Sequence, residues 1–308
     1  MTLDIAVIGG GAMGGLWAGR LARAGANVVV VDPAQPVVDA VRERGLRIEA
    51  RDGTFVAHPA IAPDATGLTP VDVAFVFVKA HHTPAAARTA ASLATDRTLV
   101  VSLQNGWGNA EVLARTIDPA QLLLGVTYHS ATLIEPGVVN HTAVGPTFLG
   151  AYLGEGLDKA QQVGQLLGTA GIDVTITPDV RTEIWRKLVL NAATLPTAAL
   201  TGLTAGQVGE PGPLLELVDA LARETVAVAR AMGLAIDEDE RIDRIHTVLA
   251  GAGSGRPSML QDVLARKKTE IEVINGAVVR AADEVGVAAP LNRALTALIS
   301  GLERSWSD

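Results

Sequence analysis

The first 32 residues hold the strongest constraint in the chain. Ile5-Ala6-Val7-Ile8 runs into Gly9-Gly10-Gly11-Ala12-Met13-Gly14, an Ala/Leu-rich stretch follows to Ala24, and Val28-Val29-Val30-Val31 ends at Asp32. The order is strand, Gly-x-Gly-x-x-Gly turn, helix, second strand, acid. Gly9 permits the tight turn, Gly11 lets a pyrophosphate approach the backbone, and Gly14 lets the helix pack close to the strand. Ala12 and Met13 lie within the turn, and the N-terminus of the helix that follows offers free N–H groups and a partial positive charge to the phosphates. Such a unit belongs to a Rossmann-type α/β domain that binds a dinucleotide.

Asp32 narrows the cofactor. An acid at the end of the second strand accepts hydrogen bonds from both adenosine ribose hydroxyls and repels a 2′-phosphate. Pro33-Ala34-Gln35-Pro36 offers no Arg or Lys to hold such a phosphate, and the next cation is Arg42. NAD is therefore favoured over NADP. The alternative is that Asp32 caps the helix beginning near Pro36.

Composition closes off other classes. With 308 residues the chain exceeds the usual size of one core, so two domains are expected. It has no cysteine, which excludes disulfides, thiolate catalysis and Cys-ligated metals. A net charge of −8 argues against a nucleic-acid partner, and no apolar run is long enough to span a membrane. The six histidines are scattered apart from His81-His82, without metal-ligand spacing. The first strand begins too early to leave room for a signal peptide, so the expected setting is cytoplasmic.

Further along, Val71–Val78 is a nearly continuous apolar run, as in a strand buried on both faces, and it ends at Lys79-Ala80. A helix is expected from Pro84 to Leu93, and strands over Thr98–Leu103 and Leu122–Val126. Between Tyr128 and Gly150 a strand pair, turning at Pro136-Gly137, is expected to complete the sheet in antiparallel fashion. After Pro178 the pattern becomes helical, with breaks at Gly202, Gly209–Gly212 and Gly251–Gly255. The expected architecture is a dinucleotide-binding domain over residues 1–178 and an all-helical domain over 179–308. Lys79 and Asn105 fall at strand ends, where ligands of such folds lie, though loop residues there are commonly just solvated.

The helical part opens with Thr182–Asn191. Lys187 and Asn191 are four apart and share a helix face, among Leu188, Val189, Leu190 and Ala192. Burial disfavours a lysine's charge and makes it a better proton donor near neutrality. A lysine whose stem simply packs on the helix is the alternative. Ser258 with Gln261 fits a capping box at the start of a long helix. Glu270 falls on the core-facing stripe of Leu260, Val263, Ile274, Ala277 and Ala281, where a carboxylate needs a partner such as Lys267.

Taken together, Gly9–Gly14, Val78-Lys79-Ala80, Gln104-Asn105-Gly106, Trp185-Arg186-Lys187 with Asn191, Pro257–Asp262, Thr269–Glu272 and Ile274-Asn275-Gly276 resemble the ketopantoate reductase family almost end to end. The resemblance implies hydride transfer from a nicotinamide cofactor to a small 2-oxo acid. Lys187 would protonate the nascent alkoxide. Lys79, Asn105 and Ala131 would lie beside the cofactor, with Asn105 also near the substrate. Asn191 and Ser258 would hold the substrate, and Glu270 would bridge cofactor and substrate across the closed cleft. Gly251–Gly255 would supply slack for closure.

Three departures stand out. The family usually takes NADPH, against the reading of Asp32. A family asparagine one turn beyond Asn191 is Leu195 here, before Pro196, and further pocket amides are replaced by Ala205 and Gly255. Fewer amides suit a 2-oxo acid with an apolar side chain better than the hydroxylated ketopantoate. Three readings stay open: a ketopantoate reductase, an NAD-dependent D-2-hydroxyacid dehydrogenase of the mandelate type in the same family, and a non-catalytic dinucleotide sensor. The set of Lys187, Asn191, Ser258 and Glu270 counts against the sensor, which has no need of a proton donor. A homodimer through an apolar helical face is left open.

Overall fold

The apolar runs read in the sequence become the centre of an eight-stranded sheet in the computed structural model, which describes residues 3–306. Its order is β12 (Val174–Ile176), β11 (Thr147–Ala151), β8 (Leu122–Thr127), β7 (Leu99–Ser102), β6 (Val73–Val76), β1 (Asp4–Ile8), β2 (Asn27–Val31) and β5 (Ala60–Ala62). Every neighbouring pair is parallel except β8 and β11. All four residues of β6 and of β7 are buried, which is why those strands show no polar alternation. Around this sheet run α1 (Ala12–Arg23), α2 (Gln35–Arg44), α3 (Thr83–Ser92), α4 (Asn109–Leu113) and α5 (Leu157–Thr169).

The region between Tyr128 and Gly150 differs from expectation. A strand pair does form there, β9 (Ser130–Glu135) with β10 (Val138–Ala143), but it belongs to a second sheet of order β4 (Gly53–Ala57), β3 (Leu46–Ala50), β10, β9. The antiparallel strand that completes the larger sheet is β11. The second sheet exists because α1 carries glycines on the face turned to it. A Cβ at Gly15 would come within 3.0 Å of Val139 Cγ2, and one at Gly19 within 2.8 Å of Ile48 Cγ1. On another side, Trp17 of α1 meets Phe75 and Phe77, with ring centroids 5.9 and 5.3 Å away.

A buried histidine pair links β10 to α1, although the sequence separates the two rings widely. Arg20 Nη2 lies 3.2 Å from His141 Nδ1, and His141 Nε2 lies 2.9 Å from His129 Nδ1. A guanidinium only donates, so His141 accepts at Nδ1 and its Nε2–H donates to His129. Burial, followed by the nearby His141 and Arg20, lowers the pKa of His129 to about 4. The pair is thus a neutral structural link. No cluster able to hold a metal ion occurs among the described residues.

The second compact unit takes in residues from Arg181 onward together with Asn105–Gly108; the first comprises the chain up to Gln104 and Asn109–Val180. Its helices are α6 (Val180–Thr201), α7 (Ala205–Val208), α8 (Pro213–Ala231), α9 (Glu238–Ala252), α10 (Ser258–Leu264), α11 (Asn275–Val285) and α12 (Pro290–Arg304). No helix among the described residues is long and apolar enough to cross a membrane.

Helix α6 runs through Pro196 without interruption. A proline inside a helix has no N–H for the carbonyl four residues back, here Ala192. The buried Asn275 fills the gap, its Nδ2 donating to Ala192 O at 2.9 Å. The same Nδ2 donates to Asn292 Oδ1 at 2.9 Å, and Asn292 Nδ2 donates to Glu224 Oε1 at 2.8 Å. This chain ties α6, α8, α11 and α12 together. Asn275→Ala leaves two buried acceptors without donors, so it is expected to lower the unfolding free energy by about 2–4 kcal/mol. Urea titration followed by tryptophan fluorescence checks this; a loss under about 0.5 kcal/mol, the range of a neutral surface change, contradicts it.

Candidate functional site

Two constellations emerge, one in each unit. In the first, Gly9 adopts φ +102° and Gly14, the third residue of α1, lies so close to it that a Cβ on Gly14 would overlap the Gly9 carbonyl oxygen. Gly11 is the N-cap of α1, and nothing lies within 4 Å of where its Cβ would be. Ala12 and Met13 form the first turn, which contains no acid. An open space over a helix N-terminus is the environment a pyrophosphate requires. The residues therefore fit a dinucleotide.

Asp32 follows β2 and is drawn into the glycine turn. Its Oδ2 accepts from Gly10 N at 2.6 Å and its Oδ1 from Ala34 N at 2.9 Å. The N-cap of α2 is Ala34, so Asp32 does not cap that helix. Each carboxylate oxygen keeps acceptor capacity for a further donor. Lys79 lies just beyond β6, as the N-cap of a short 3-10 turn, Ala80–His82. Ala131 lies in β9 and packs with Met13 against the core around α1.

The second constellation gathers Lys187, Asn191, Asn105 and Glu270 in the helical unit. Asn105 follows β7 in sequence, yet its segment folds with the helices. Trp107 N donates to Val273 O at 2.8 Å, the Trp107 and Trp185 rings lie 5.8 Å apart, and Gly106 takes φ +84° where a Cβ would overlap Val273 O. This docking lets Lys187 Nζ donate to Asn105 Oδ1 at 2.8 Å. Burial lowers the pKa of Lys187 from 10.5 to about 8, with the charge of Glu270 opposing the shift. Asn191, one turn further along α6, is buried.

Glu270 is buried as expected, but not on a helix. α10 ends at Leu264, Arg266 takes φ +47°, and Glu270 precedes a 3-10 turn, Ile271–Val273. The expected continuous stripe from Leu260 to Ala281 is therefore interrupted, and Lys267 is exposed. Glu303 of α12 secures the approach, its Oε1 accepting from Thr269 N and Oγ1 at 2.8 and 2.6 Å. The capping box at Ser258 is also absent. Pro257 is the N-cap, Ser258 is exposed at the first helical position, and Gln261 Nε2 donates to Arg256 O at 2.8 Å.

A cavity of about 230 Å³ lies in the same unit. Leu190, Leu195, Val248 and Leu249 supply its apolar walls, Ala205 and Gly255 its small positions, and Asn191, Thr194 and Arg256 its polar edge. Its size suits a small metabolite rather than a drug-sized ligand, which takes roughly 300–1,000 Å³. Sequence reasoning passed over Arg256; its position before Pro257 in a glycine-rich stretch reads as solvated loop. Gly251–Gly255 is partly tied down in this conformation. Its first residues continue α9, and Gly255 O and Gly253 O accept from Ala205 N and Gly206 N at 3.0 and 3.1 Å.

The chain can now be set beside known proteins. The pattern described as "Ketopantoate reductase PanE/ApbA" matches residues 5–154, and its C-terminal counterpart matches residues 179–303. The 2-dehydropantoate 2-reductase of Halobacterium salinarum is 34% identical over 303 residues, covering 98% of this chain and 99% of that protein. That of Archaeoglobus fulgidus is 32% identical over 97% of both. Among solved structures, D-mandelate dehydrogenase with NADH and anilino(oxo)acetate superposes with TM-score 0.94 at 26% identity, covering 99% of this chain and 100% of that one. A PanE/ApbA family ketopantoate reductase from Ralstonia eutropha does so with TM-score 0.91 at 28% identity, with the same coverage. A glycine turn fit for a dinucleotide, a partly desolvated lysine bonded to an asparagine, and two family patterns spanning nearly the whole length lead to one assignment: this chain belongs to the ketopantoate reductase family.

Proposed function

We propose that the protein reduces the 2-oxo group of 2-dehydropantoate to the hydroxyl of pantoate, with NADH preferred over NADPH. The observation that carries this is Lys187, an ammonium whose pKa is lowered to about 8 and whose position is fixed by Asn105. The nicotinamide cofactor, when bound, supplies the hydride. The chain's own work is to orient and protonate. Lys187 gives its Nζ proton to the alkoxide oxygen as charge develops there, and its cationic form polarises the carbonyl beforehand. Asn105 holds the ammonium in place through its side-chain oxygen. Asn191 offers an amide to the substrate, Ser258 a hydroxyl, and Glu270 keeps the lysine charged more than burial alone would allow.

The preference for NADH rests on Asp32. Its carboxylate, tied to Gly10 and Ala34, accepts from ribose hydroxyls and repels a 2′-phosphate, while the following residues up to Asp39 supply no cation. Asp32→Ser with Pro33→Arg is expected to shift the preference toward NADPH. Steady-state assays of 2-dehydropantoate, benzoylformate and other 2-oxo acids, each with NADH and NADPH, test both halves. A wild type with higher kcat/KM for NADPH overturns the cofactor choice. Faster reduction of benzoylformate than of 2-dehydropantoate overturns the substrate.

A further inference from the structure

The cavity beside Asn191 is short of amides, yet it is not short of donors. Leu195, Ala205 and Gly255 offer no side-chain hydrogen bond, and Thr194 Oγ1 already donates to Leu190 O at 2.8 Å. Arg256 lines the same cavity and, among the described residues that line it, brings the only formal charge. Among the described residues its guanidinium has no ion pair and no hydrogen-bond acceptor.

The placement of Arg256 is built rather than incidental. Ala205 N and Gly206 N hold the carbonyls of Gly255 and Gly253, and Gln261 Nε2 holds the carbonyl of Arg256 itself. Gly206 is required for this, since a Cβ there would lie 2.5 Å from Gly253 O. These bonds set Arg256 beside the start of α7, which follows the C-terminal end of α6. Lys187 is on the earlier part of α6, two turns or about 12 Å along the axis from Leu195. A small acid with its reacting carbonyl at Lys187 and its chain past Asn191 therefore turns its remote end toward Arg256.

We propose that Arg256 is a specificity-determining residue that recognises an oxygen at the remote end of the substrate, donating to the C4 hydroxyl of 2-dehydropantoate. It rests on the reading of the site given above. A guanidinium is donor-only, so it pairs with the hydroxyl oxygen and leaves the hydroxyl proton to Asn191 or water. It thereby replaces the amides missing at 195, 205 and 255, and reverses the preference for apolar side chains that those positions alone suggest. The remaining walls accommodate the methyl groups next to the carbonyl.

The test compares 2-dehydropantoate with 3,3-dimethyl-2-oxobutanoate, the same acid without the hydroxyl, in wild type and Arg256→Met. The arginine is exposed, so the variant should fold normally. Losing one charge-assisted hydrogen bond is expected to lower kcat/KM for 2-dehydropantoate by roughly 10–100-fold and to leave the deoxy acid nearly unchanged. Calorimetric titration with pantoate and with 2-hydroxy-3,3-dimethylbutanoate should show the same selective loss without turnover. An equal fall for both acids would mean that Arg256 holds the carboxylate, and overturns the assignment. So does no fall in either. A wild type that reduces neither acid overturns the reading of the site itself, a failure separate from these two.

Discussion

Lys187→Ala is expected to lower kcat for 2-oxo acid reduction by roughly 10²–10⁴, the usual worth of a positioned proton donor. NADH binding should be nearly unchanged, because the glycine turn and Asp32 belong to the other unit. The pH profile gives a second, independent sign. With Lys187 as the proton donor, reduction needs the ammonium form, whose pKa burial has lowered to about 8. Wild-type kcat should hold level below that pH and fall about tenfold per unit above it, while oxidation of the hydroxy acid should rise over the same range. In the Ala variant that limb should vanish. A variant with near-normal kcat, or one that keeps the limb, would make this lysine a structural residue.

Gly14→Ala is expected to raise the NADH dissociation constant by roughly 10–100-fold, matching the about 1–3 kcal/mol that overpacking a close contact costs. The added Cβ meets backbone, not a flexible side chain, so the turn and α1 must move apart. The melting temperature should fall with affinity. Gly11→Ala provides the contrast. Its Cβ meets no protein atom within 4 Å but enters the open space above α1, so affinity should drop with little thermal cost. Fluorescence titration and thermal melts separate the two. Unchanged NADH affinity in Gly14→Ala would remove the turn from the cofactor site.

The strand–turn–helix–strand unit was legible because its signals are local: each glycine acts on neighbours within the same turn. The second sheet was not. Leu46–Ala50 and Gly53–Ala57 are short and half exposed, and what holds them is the glycine face of α1, invisible from their own composition. Glu270 shows a mixed case. Apolar neighbours on both sides betrayed its burial, but one left-handed residue, Arg266, broke the helix on which it was expected to ride. Lys187 and Asn191 were legible as a pair because helical spacing alone brings them together. Asn275 belongs to a segment that resembles the family, yet its task depends on Pro196 and Asn292, partners that only the folded chain brings within reach. His129 and His141 looked scattered for the same reason.

The excursion of Asn105–Gly108 bears on how far this protein can be taken apart. A dissection after Val180 looks natural, since the helices begin there and a family pattern restarts at residue 179. The C-terminal fragment so obtained lacks the acceptor for Lys187, the amide that satisfies Val273 O and the ring that covers Trp185. Chimeras that exchange the helical half between relatives meet the same difficulty. They join a lysine from one parent to an asparagine loop shaped by the other, unless four residues from the middle of the first half travel with the second. The unit of exchange is therefore discontinuous in the gene, and a crossover at the apparent boundary separates Lys187 from the asparagine that accepts its hydrogen bond.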